Sequence, residues 1–470
     1  MAERYTLYTA RWIVPVSAPP IRDGALLVDP RGRIAAVGPE AAVPAPEDAR
    51  RVALGEAALL PGLVNVHAHP ELTAFRGLLE DLPFHEWIFT LNRIKRALGG
   101  NAPPGPPGAT IAPPARLAED FDAAARWTCV EALRAGITTI AATEDSGAAL
   151  DALRDAGLRG IVYREVFGPD PAKADLALAG LERAVAEMRS RETDLVRVGV
   201  SPHAPYTVSD ALFRAVARYA LEEGLPLATH TAESAAEWEL VVRGGGWFAE
   251  GLRRRGIEPA PRGASTIELM DRVGVLETRP LLIHCVDLGP DDIRRIADRG
   301  ASVAHCPVAN ARLGHGIAPV VELREAGVPV GLGTDSVASN NRLDLLEEAR
   351  LAQLFQRARL HSPSALPAAD VLRMATLDGA RALGLEDRIG SLEPGKDADL
   401  CAVSLEPPHV CPVHEPCAAV VHAARGSDVL LTVVRGRELY RAGQAESPEL
   451  ARLRDRLDRA AERLRQALAT

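Results

Sequence analysis

The sequence predicts an α/β protein built on a (β/α)8 TIM barrel, and two observations support this fold class. Short apolar runs alternate with amphipathic helical stretches from residue 63 to about residue 380, a pattern typical of βα units around a parallel sheet. Eight such runs can be counted, as a TIM barrel requires. They lie at residues 63–66, 137–142, 160–166, 196–200, 226–229, 281–283, 302–304 and 328–332.

Both ends of the chain contain further β-type runs. Residues 7–14, 24–28 and 34–37 precede the barrel segment, and residues 398–403 and 429–434 follow it. We expect the later runs to complete the sheet that the earlier ones begin. The expected divisions are 1–60 and 386–445 for the two parts of this β unit, 61–385 for the barrel and 446–470 for a C-terminal amphipathic helix. That helix would pack on the barrel or on a neighbouring subunit.

The composition limits the class of partner. The 470 residues carry a formal net charge of −9 and show no basic stripe, which argues against nucleic acid and membrane surfaces as partners. We therefore expect a small-molecule substrate. Without a signal-like segment or an apolar stretch of membrane length, the sequence indicates a cytoplasmic protein. The six cysteines form no CxxC pair, so we expect free thiols.

Histidines cluster where the predicted strands end. His67 and His69 follow the first barrel strand at alternate positions, so both side chains leave it on one side and can bind one metal ion. A solvated loop pair would give the same spacing. Later strand ends bring further polar residues, and the carboxyl ends of TIM-barrel strands form the active-site face. These residues are His203, His230 with Glu233, His284, His305 and Asp335.

A Pro- and Gly-rich segment, residues 99–114, lies in the connection after the first barrel strand. Its composition excludes a helix or a strand. It is expected to be either an ordered lid over the catalytic face or a floppy loop.

The strand-end residues resemble the amidohydrolase superfamily, in its branch of ring deaminases and triazine hydrolases. The resemblance extends from Pro-Gly-Leu-Val-Asn at 61–65 to Gly-Lys-Asp-Ala-Asp-Leu at 395–400. It implies a (β/α)8 barrel with a small β-sandwich built from both chain ends. Residue by residue, it also implies a set of metal ligands. They are His67, His69, His230 and Asp335.

This ligand set implies one divalent ion per chain, with zinc expected and iron or manganese as alternatives. Related enzymes with two ions bridge them through a carboxylated lysine on a middle barrel strand, whereas Lys95, Lys173 and Lys396 fall elsewhere. The ion lowers the pKa of its bound water from 15.7 to roughly 7, so that a hydroxide forms at neutral pH.

The resemblance also assigns catalytic roles. Asp335 would accept the proton of the attacking water, and Glu233 would carry protons to a ring nitrogen and to the leaving amine. His284 would hold or polarise the attacking hydroxide. His305 would either support Asp335 or contact the substrate.

The predicted substrate is an adenosine-like nucleoside. Ser-Pro-His-Ala-Pro-Tyr-Thr at 201–207 and Ser339 resemble the nucleoside deaminases, in which His203 would contact the sugar or the ring edge. Arg76 either contacts the substrate or pairs with Glu80 or Asp81 to fix its loop.

The segment around Trp87 resembles methylthioadenosine/S-adenosylhomocysteine deaminases, which place an acidic residue where this chain has Lys95 and Arg96. The basic pair, together with Glu71-Leu72-Thr73, is more similar to aminodeoxyfutalosine deaminases, whose substrate carries a benzoate that Arg96 could bind. A solvated helix face would explain the pair equally well. We therefore expect hydrolytic deamination of an aminodeoxyfutalosine-type nucleoside. A methylthioadenosine/S-adenosylhomocysteine deaminase and a triazine-type hydrolase are alternatives, and the C-terminal helix favours a homodimer.

Overall fold

The computed structural model describes residues 4–98, 115–445 and 447–469, so the Pro-rich segment 99–114 lies outside the described residues. Within these ranges sixteen β-strands form one mixed sheet and two parallel sheets. In chain order the strands are β1 (Thr6–Ile13), β2 (Ile21–Val28), β3 (Ile34–Pro39), β4 (Arg50–Ala53), β5 (Ala57–Pro61), β6 (Leu63–Ala68), β7 (Ile137–Glu144), β8 (Arg159–Val166), β9 (Val196–Pro202), β10 (Ala228–Thr231), β11 (Leu281–His284), β12 (Ser302–His305), β13 (Val330–Leu332), β14 (Leu400–Ser404), β15 (Val429–Val434) and β16 (Arg437–Arg441).

Helices connect and cover these strands. The α-helices are α1 (Phe84–Leu98), α2 (Ala115–Arg134), α3 (Ala148–Ala156), α4 (Ala174–Arg189), α5 (Asp210–Glu223), α6 (Ala235–Arg243), α7 (Gly246–Arg253), α8 (Thr266–Arg272), α9 (Pro290–Arg299), α10 (Pro307–Arg312), α11 (Val320–Glu325), α12 (Val337–Asn340), α13 (Leu345–Leu360), α14 (Ala368–Met374), α15 (Leu377–Ala382), α16 (Pro416–His422) and α17 (Pro448–Ala469). A short 3-10 helix, Pro70–Phe75, follows β6.

The mixed sheet joins the two ends of the chain, as the sequence predicts. Its order is β16-β15-β14-β5-β1-β2-β3, with β4 paired to β1. The two ends meet where β14 pairs antiparallel with β5, which places Leu400 opposite Pro61. Strands β4, β5 and β16 are additional to the predicted runs.

The parallel sheets contain all eight predicted barrel strands, each within two residues of its expected bounds. Strands β6 to β9 form one sheet, and β10 to β13 form the other. A parallel bridge between Val200 and Leu227 connects β9 to the residues before β10. On the opposite flank, the backbone amide of Asp335 donates to the carbonyl of His67 at 3.0 Å. The carboxyl ends of the strands in both sheets therefore lie on a common face.

The C-terminal helix α17 packs on its own chain. Ala460 and Leu464 are buried in an apolar cluster with Ile94 of α1 and Phe121 of α2. Arg463 forms an ion pair with Asp120 of α2. Of the two placements that the sequence allows, the structure shows the intramolecular one. Among the described residues, no helix has the length and apolar character needed to cross a membrane.

Candidate active site

A cavity of about 310 Å³ lies where the carboxyl ends of the two parallel sheets meet. Its lining joins strand-end residues to side chains of α1 and of the following loops. The polar members of the lining used below are His69, Glu71, Lys95, Arg96, Glu165, His203, Tyr206, His230, Glu233, Arg255, His284 and Asp335.

Three imidazoles and one carboxylate converge at the floor of this cavity. The Nε2 atoms of His67 and His69 lie 3.3 and 3.7 Å from Oδ1 of Asp335. The His230 ring lies 5.0 Å from the His67 ring and stacks on the His69 ring at 5.5 Å. His67 Nε2 is buried and has no hydrogen-bond partner among the described residues. Because an unpaired buried nitrogen is costly, this group fits a bound cation, which would give that nitrogen a partner.

Neighbouring groups orient these side chains. The Nδ1 atom of His230 lies 3.0 Å from the carbonyl of His203, which leaves Nε2 of His230 for the cluster. The Ser339 hydroxyl donates to Oδ2 of Asp335 at 2.9 Å. The Thr143 hydroxyl lies 3.2 Å from His67 Nδ1. Such outer hydrogen bonds fix ring tautomer and direction in metal sites.

Backbone strain concentrates at the same strand ends. Ala232, His284, Cys285 and Asp335 have positive φ angles of 52°, 75°, 49° and 57°. Non-glycine residues pay for this conformation, and such strain persists where surrounding structure holds a functional geometry in place.

Burial sets the charge of the cluster. It lowers the pKa of His69 to about 3 and that of His203 to about 4, and it lowers the pKa of His230 well below the ordinary value. Neutral imidazoles are the form that binds metal ions. Burial alone would raise the pKa of Asp335, but its interactions with His67, His284 and His69 together outweigh burial and lower that pKa. The cluster therefore offers neutral nitrogens and one carboxylate at neutral pH.

Glu233 lines the cavity next to the histidine cluster. Its carboxylate accepts a hydrogen bond from the Tyr206 hydroxyl at 3.1 Å. The Nε2 atoms of His284 and His315 lie 3.5 and 3.4 Å from its Oε1. Burial would raise the pKa of Glu233, yet His284 and His315 lower it. His284 is itself fixed through Nδ1, which lies 2.9 Å from Oδ1 of Asn310.

The structure brings three of the predicted substrate contacts into the cavity lining: Trp87, Arg96 and His203. Lys95, the neighbour of Arg96, turns inward, and its ammonium lies 3.2 Å from Oδ1 of Asp145. It does not belong to a solvated helix face.

Ser339, Arg76 and His305 lie outside this lining. The Ser339 hydroxyl instead donates a hydrogen bond to the Asp335 carboxylate. Arg76 forms an ion pair with Glu131 at 2.6 Å, so its partner is neither Glu80 nor Asp81 as the sequence indicated. His305 is buried, and in the part of the chain that the structure describes neither of its ring nitrogens has a hydrogen-bond partner.

Four polar groups of the site have no role among those predicted from the sequence: His315, Asn310, Glu71 and Glu165. Glu71 and Glu165 line the cavity, while His315 and Asn310 fix Glu233 and His284. His315 was the most accessible to prediction, because it stands between two glycines in the connection after the seventh barrel strand. Such connections line the active-site face.

Comparisons with known proteins agree with this geometry. The model of the amidohydrolase family matches residues 58–439. A 5-methylthioadenosine/S-adenosylhomocysteine deaminase of Syntrophobacter fumaroxidans is 37% identical over 86% of each chain. A 5'-deoxyadenosine deaminase of Methanothermobacter thermautotrophicus is 36% identical over 91% of each chain. The crystal structure of an adenosine deaminase from Xanthomonas campestris with bound zinc is 30% identical, covers 98% of each chain and has a TM-score of 0.81. The chain thus belongs to the amidohydrolase family.

Proposed function

We propose that this protein is a metal-dependent aminohydrolase that removes the exocyclic amine of an adenosine-like nucleoside as ammonia. The observation that carries the proposal is the fixed carboxylate of Glu233 beside the cluster of His67, His69, His230 and Asp335. Relatives named as deaminases of methylthioadenosine, S-adenosylhomocysteine and 5'-deoxyadenosine support the same reaction class.

We infer that the two parallel sheets close into one eight-stranded barrel and that the mixed sheet forms a small β-sandwich beside it. The Val200–Leu227 bridge and the Asp335–His67 hydrogen bond support closure on the two flanks. The proposed divisions are residues 1–60, 61–385, 386–445 and 446–470. A closed barrel explains why ligands from the first, fifth and eighth strands meet at one point.

The proposed cofactor is a single divalent ion, zinc, held by His67, His69, His230 and Asp335. When bound, such an ion supplies Lewis-acid activation of a water molecule. The lowered pKa values of the histidines support this assignment, because they keep the imidazoles neutral near pH 7.

The chain's own residues move the protons. Asp335 accepts a proton from the attacking water, and Glu233 shuttles a proton to a ring nitrogen and then to the leaving amine. His284 Nε2 lies 3.5 Å from Oε1 of Glu233 and would hold or polarise the attacking oxygen. Overall, water and the amino-purine become ammonia and the corresponding oxo-purine.

Two arginines favour a substrate with a negatively charged substituent. Arg96 and Arg255 are exposed and line the cavity, and neither guanidinium has an ion pair among the described residues. Guanidinium groups bind carboxylates in paired hydrogen bonds. A nucleoside with a carboxylate on its 5' substituent fits them, as in aminodeoxyfutalosine or S-adenosylhomocysteine. We therefore place these two ahead of methylthioadenosine and of a chlorotriazine.

The experiment measures ammonia release and metal content on the same sample. The panel contains aminodeoxyfutalosine, S-adenosylhomocysteine, methylthioadenosine, 5'-deoxyadenosine, adenosine and a chlorotriazine. We expect Glu233→Gln to lose a hundredfold or more of kcat, a loss on the order of that for a missing general acid–base, while it retains metal. Asp335→Asn should lose metal as well.

Glu187→Gln serves as the matched control, since its side chain is 78% exposed on α4. It should keep both activity and metal. A metal-loaded wild-type protein that releases ammonia from no nucleoside would overturn the deaminase proposal.

A further inference from the structure

An arginine is buried on the side of β8 that faces the helices. Arg164 is only 7% exposed. Its neighbours at alternate positions, Val162 and Val166, pack in an apolar cluster with Leu181 of α4. Because alternate residues of a strand share a face, an apolar side chain would be expected at position 164 as well. Arginine is almost never fully buried unless it is paired, so this position requires a partner.

Arg164 has no such partner within the described ranges of the chain. Its side chain forms no ion pair there, and its Nε atom is fully buried without a hydrogen-bond acceptor. A buried donor without an acceptor costs free energy, and a buried charge without a counter-charge costs more. The guanidinium of Arg164 therefore indicates a missing anion.

Neighbouring carboxylates are engaged by other groups. Glu144 lies beside Arg164 in the register of β7 and β8, but its Oε2 accepts a hydrogen bond from the backbone of Gly147 at 2.7 Å. Oε1 of Glu144 is buried without a donor, yet it forms no ion pair with Arg164. Asp145 binds the ammonium of Lys95 at 3.2 Å. Neither carboxylate thus supplies the missing anion.

Arg164 lines a second cavity, of about 560 Å³, formed by β8, α4 and the loop after β7. The charged residues of this second cavity are Arg164, Arg183, Glu187 and Arg191. Its lining shares no residue with that of the catalytic cavity. The next residue of β8, Glu165, lines the catalytic cavity instead, because successive residues of a strand point to opposite faces.

Two of the three guanidinium groups are free for a ligand. Arg183 is exposed on α4 and has no ion pair in the described part of the chain. Arg191 is paired with Asp151 at 2.8 Å. The side chain of Glu187 is 78% exposed and lies 3.7 Å from Arg191. Arg164 and Arg183 therefore offer two positive charges that are not compensated, and the exposure of Arg183 leaves the cavity accessible from solvent.

We propose that the second cavity binds a phosphate group through Arg164 and Arg183. A phosphate dianion matches two uncompensated guanidinium charges, and its oxygens accept paired hydrogen bonds from each planar guanidinium. A metal cation would be repelled by this lining, and an apolar ligand would leave Arg164 unpaired. Inorganic phosphate and a phosphate monoester share the chemistry that the two arginines recognise. This binding does not depend on the deaminase reaction.

Calorimetry on the metal-loaded protein can test the binding of inorganic phosphate, glycerol phosphate and glycerol at constant ionic strength. We expect both phosphates to bind and glycerol not to bind. Tighter binding of inorganic phosphate would identify the free anion as the ligand, whereas tighter binding of glycerol phosphate would identify a monoester. If neither phosphate bound, the proposal would be wrong.

Two variants assign the bound phosphate to this cavity. Arg164→Met and Arg183→Met should each weaken phosphate binding by about ten- to a hundredfold, the range for hydrogen bonds to charged groups. Arg183 is exposed, so its replacement leaves the apolar core intact. Arg218→Met on α5, whose side chain is 71% exposed, is the matched control and should bind phosphate as the wild type does. Equal affinities in the wild type and both cavity variants would place the anion elsewhere, for example at the metal ion, and would overturn the proposal.

Urea unfolding distinguishes ligand binding from a structural role of Arg164. Phosphate should raise the urea midpoint of the wild type more than that of Arg164→Met, because a ligand stabilises the state that binds it. Without phosphate, Arg164→Met should be at least as stable as the wild type, since it removes an unpaired buried charge. A less stable Arg164→Met with the same response to phosphate as the wild type would show that Glu144 or another group of the chain already neutralises the arginine, against the proposal.

Discussion

At the scale of single residues, two neighbouring glutamates have pKa values that are shifted in opposite directions. Glu237 is fully buried behind Glu233 and accepts a hydrogen bond from the backbone of Ala232 at 2.7 Å. Burial, and then the charge of Glu233, raise the pKa of Glu237 to about 8. Glu233 has a lowered pKa. A protonated Glu237 therefore leaves Glu233 as the single negative charge of the pair at neutral pH.

This difference makes stability depend on pH. The unfolded chain loses the Glu237 proton near its ordinary pKa of 4.5, whereas the folded protein keeps it until about pH 8. Between these values the folded state binds more protons, so its stability falls as pH rises. We expect Glu237→Gln to reduce that fall by on the order of 4 kcal/mol between pH 5 and 9, measured by urea unfolding. Identical pH profiles for Glu237→Gln and wild type would contradict the raised pKa.

His315 is expected to position Glu233. Its Nε2 lies 3.4 Å from Oε1 of Glu233, and its ring meets Phe84 edge-on at 4.5 Å. We expect His315→Phe, which keeps a ring but removes the nitrogen, to lower kcat about tenfold with KM within twofold and metal retained. His422→Phe on α16 is the control. An unchanged kcat, or parallel losses in kcat and metal, would assign His315 a different role.

Whether a site residue could be predicted from the sequence depends on whether it lies at a strand end or in a connection. His67, His69, His230, His284 and Asp335 lie in the last two positions of a strand or within three residues after it, and this position predicts that they share one face. Glu71 and His315 lie in connections, whose paths depend on packing that no local pattern encodes. Arg76 shows the same limit, because its partner Glu131 is 55 residues away in sequence.

At the scale of elements, close packing between β6 and β13 depends on a glycine. A Cβ added at Gly331 of β13 would lie 2.6 Å from Cγ1 of Val66 and 2.9 Å from Cα of Gly379. The backbone of Gly379 cannot move aside as a flexible side chain could. Gly331 thus lets β13 approach β6 closely. This approach also brings together the proposed metal ligands His67 and Asp335 at the ends of the two strands.

Gly331→Ala should therefore destabilise the protein by about 1–3 kcal/mol, the usual cost of overpacking. It should also weaken metal retention during dialysis against a chelator, since Asp335 follows β13 and His67 lies in β6. Gly251→Ala in α7, where the nearest atom to the new Cβ is 3.9 Å away, is the control. If Gly331→Ala had the same urea midpoint as the wild type, β13 would accommodate the added methyl group without loss of stability, and the prediction would be wrong.

The elements themselves were largely predictable, since all eight barrel runs are buried strands. Strand β5 is one of the three strands absent from the predicted runs, and its omission has a physical cause. Strands β5 and β6 form one almost continuous apolar run from 57 to 66, yet they belong to different sheets. The chain changes sheet at Gly62, where a Cβ would lie 2.2 Å from the Thr138 hydroxyl oxygen. Hydrophobic periodicity cannot locate such a change, because both strands are buried.

At the scale of the whole molecule, a buried ionic group connects the barrel segment to the mixed sheet. Arg159 of β8 donates to Asp399 at 2.8 Å and to Asp397 at 2.9 Å. All three side chains are at most 4% exposed. Asp399 also accepts a hydrogen bond from the backbone of Arg435 at 2.8 Å, and Asp397 one from the side chain of Arg388 at 2.9 Å.

Removing the cation alone should cost more than removing the whole group. Arg159→Met would leave two buried carboxylates without their main partner, and breaking a buried ion pair in this way costs about 3–5 kcal/mol. We expect urea unfolding to show a loss of this size, and Arg159→Met with Asp397→Asn and Asp399→Asn to recover most of it. Metal content of the folded protein should stay unchanged in both variants, because the group lies outside the cavity lining. If the triple variant were less stable than Arg159→Met, hydrogen bonds to Arg388 and Arg435, rather than charge compensation by Arg159, would hold the two parts together.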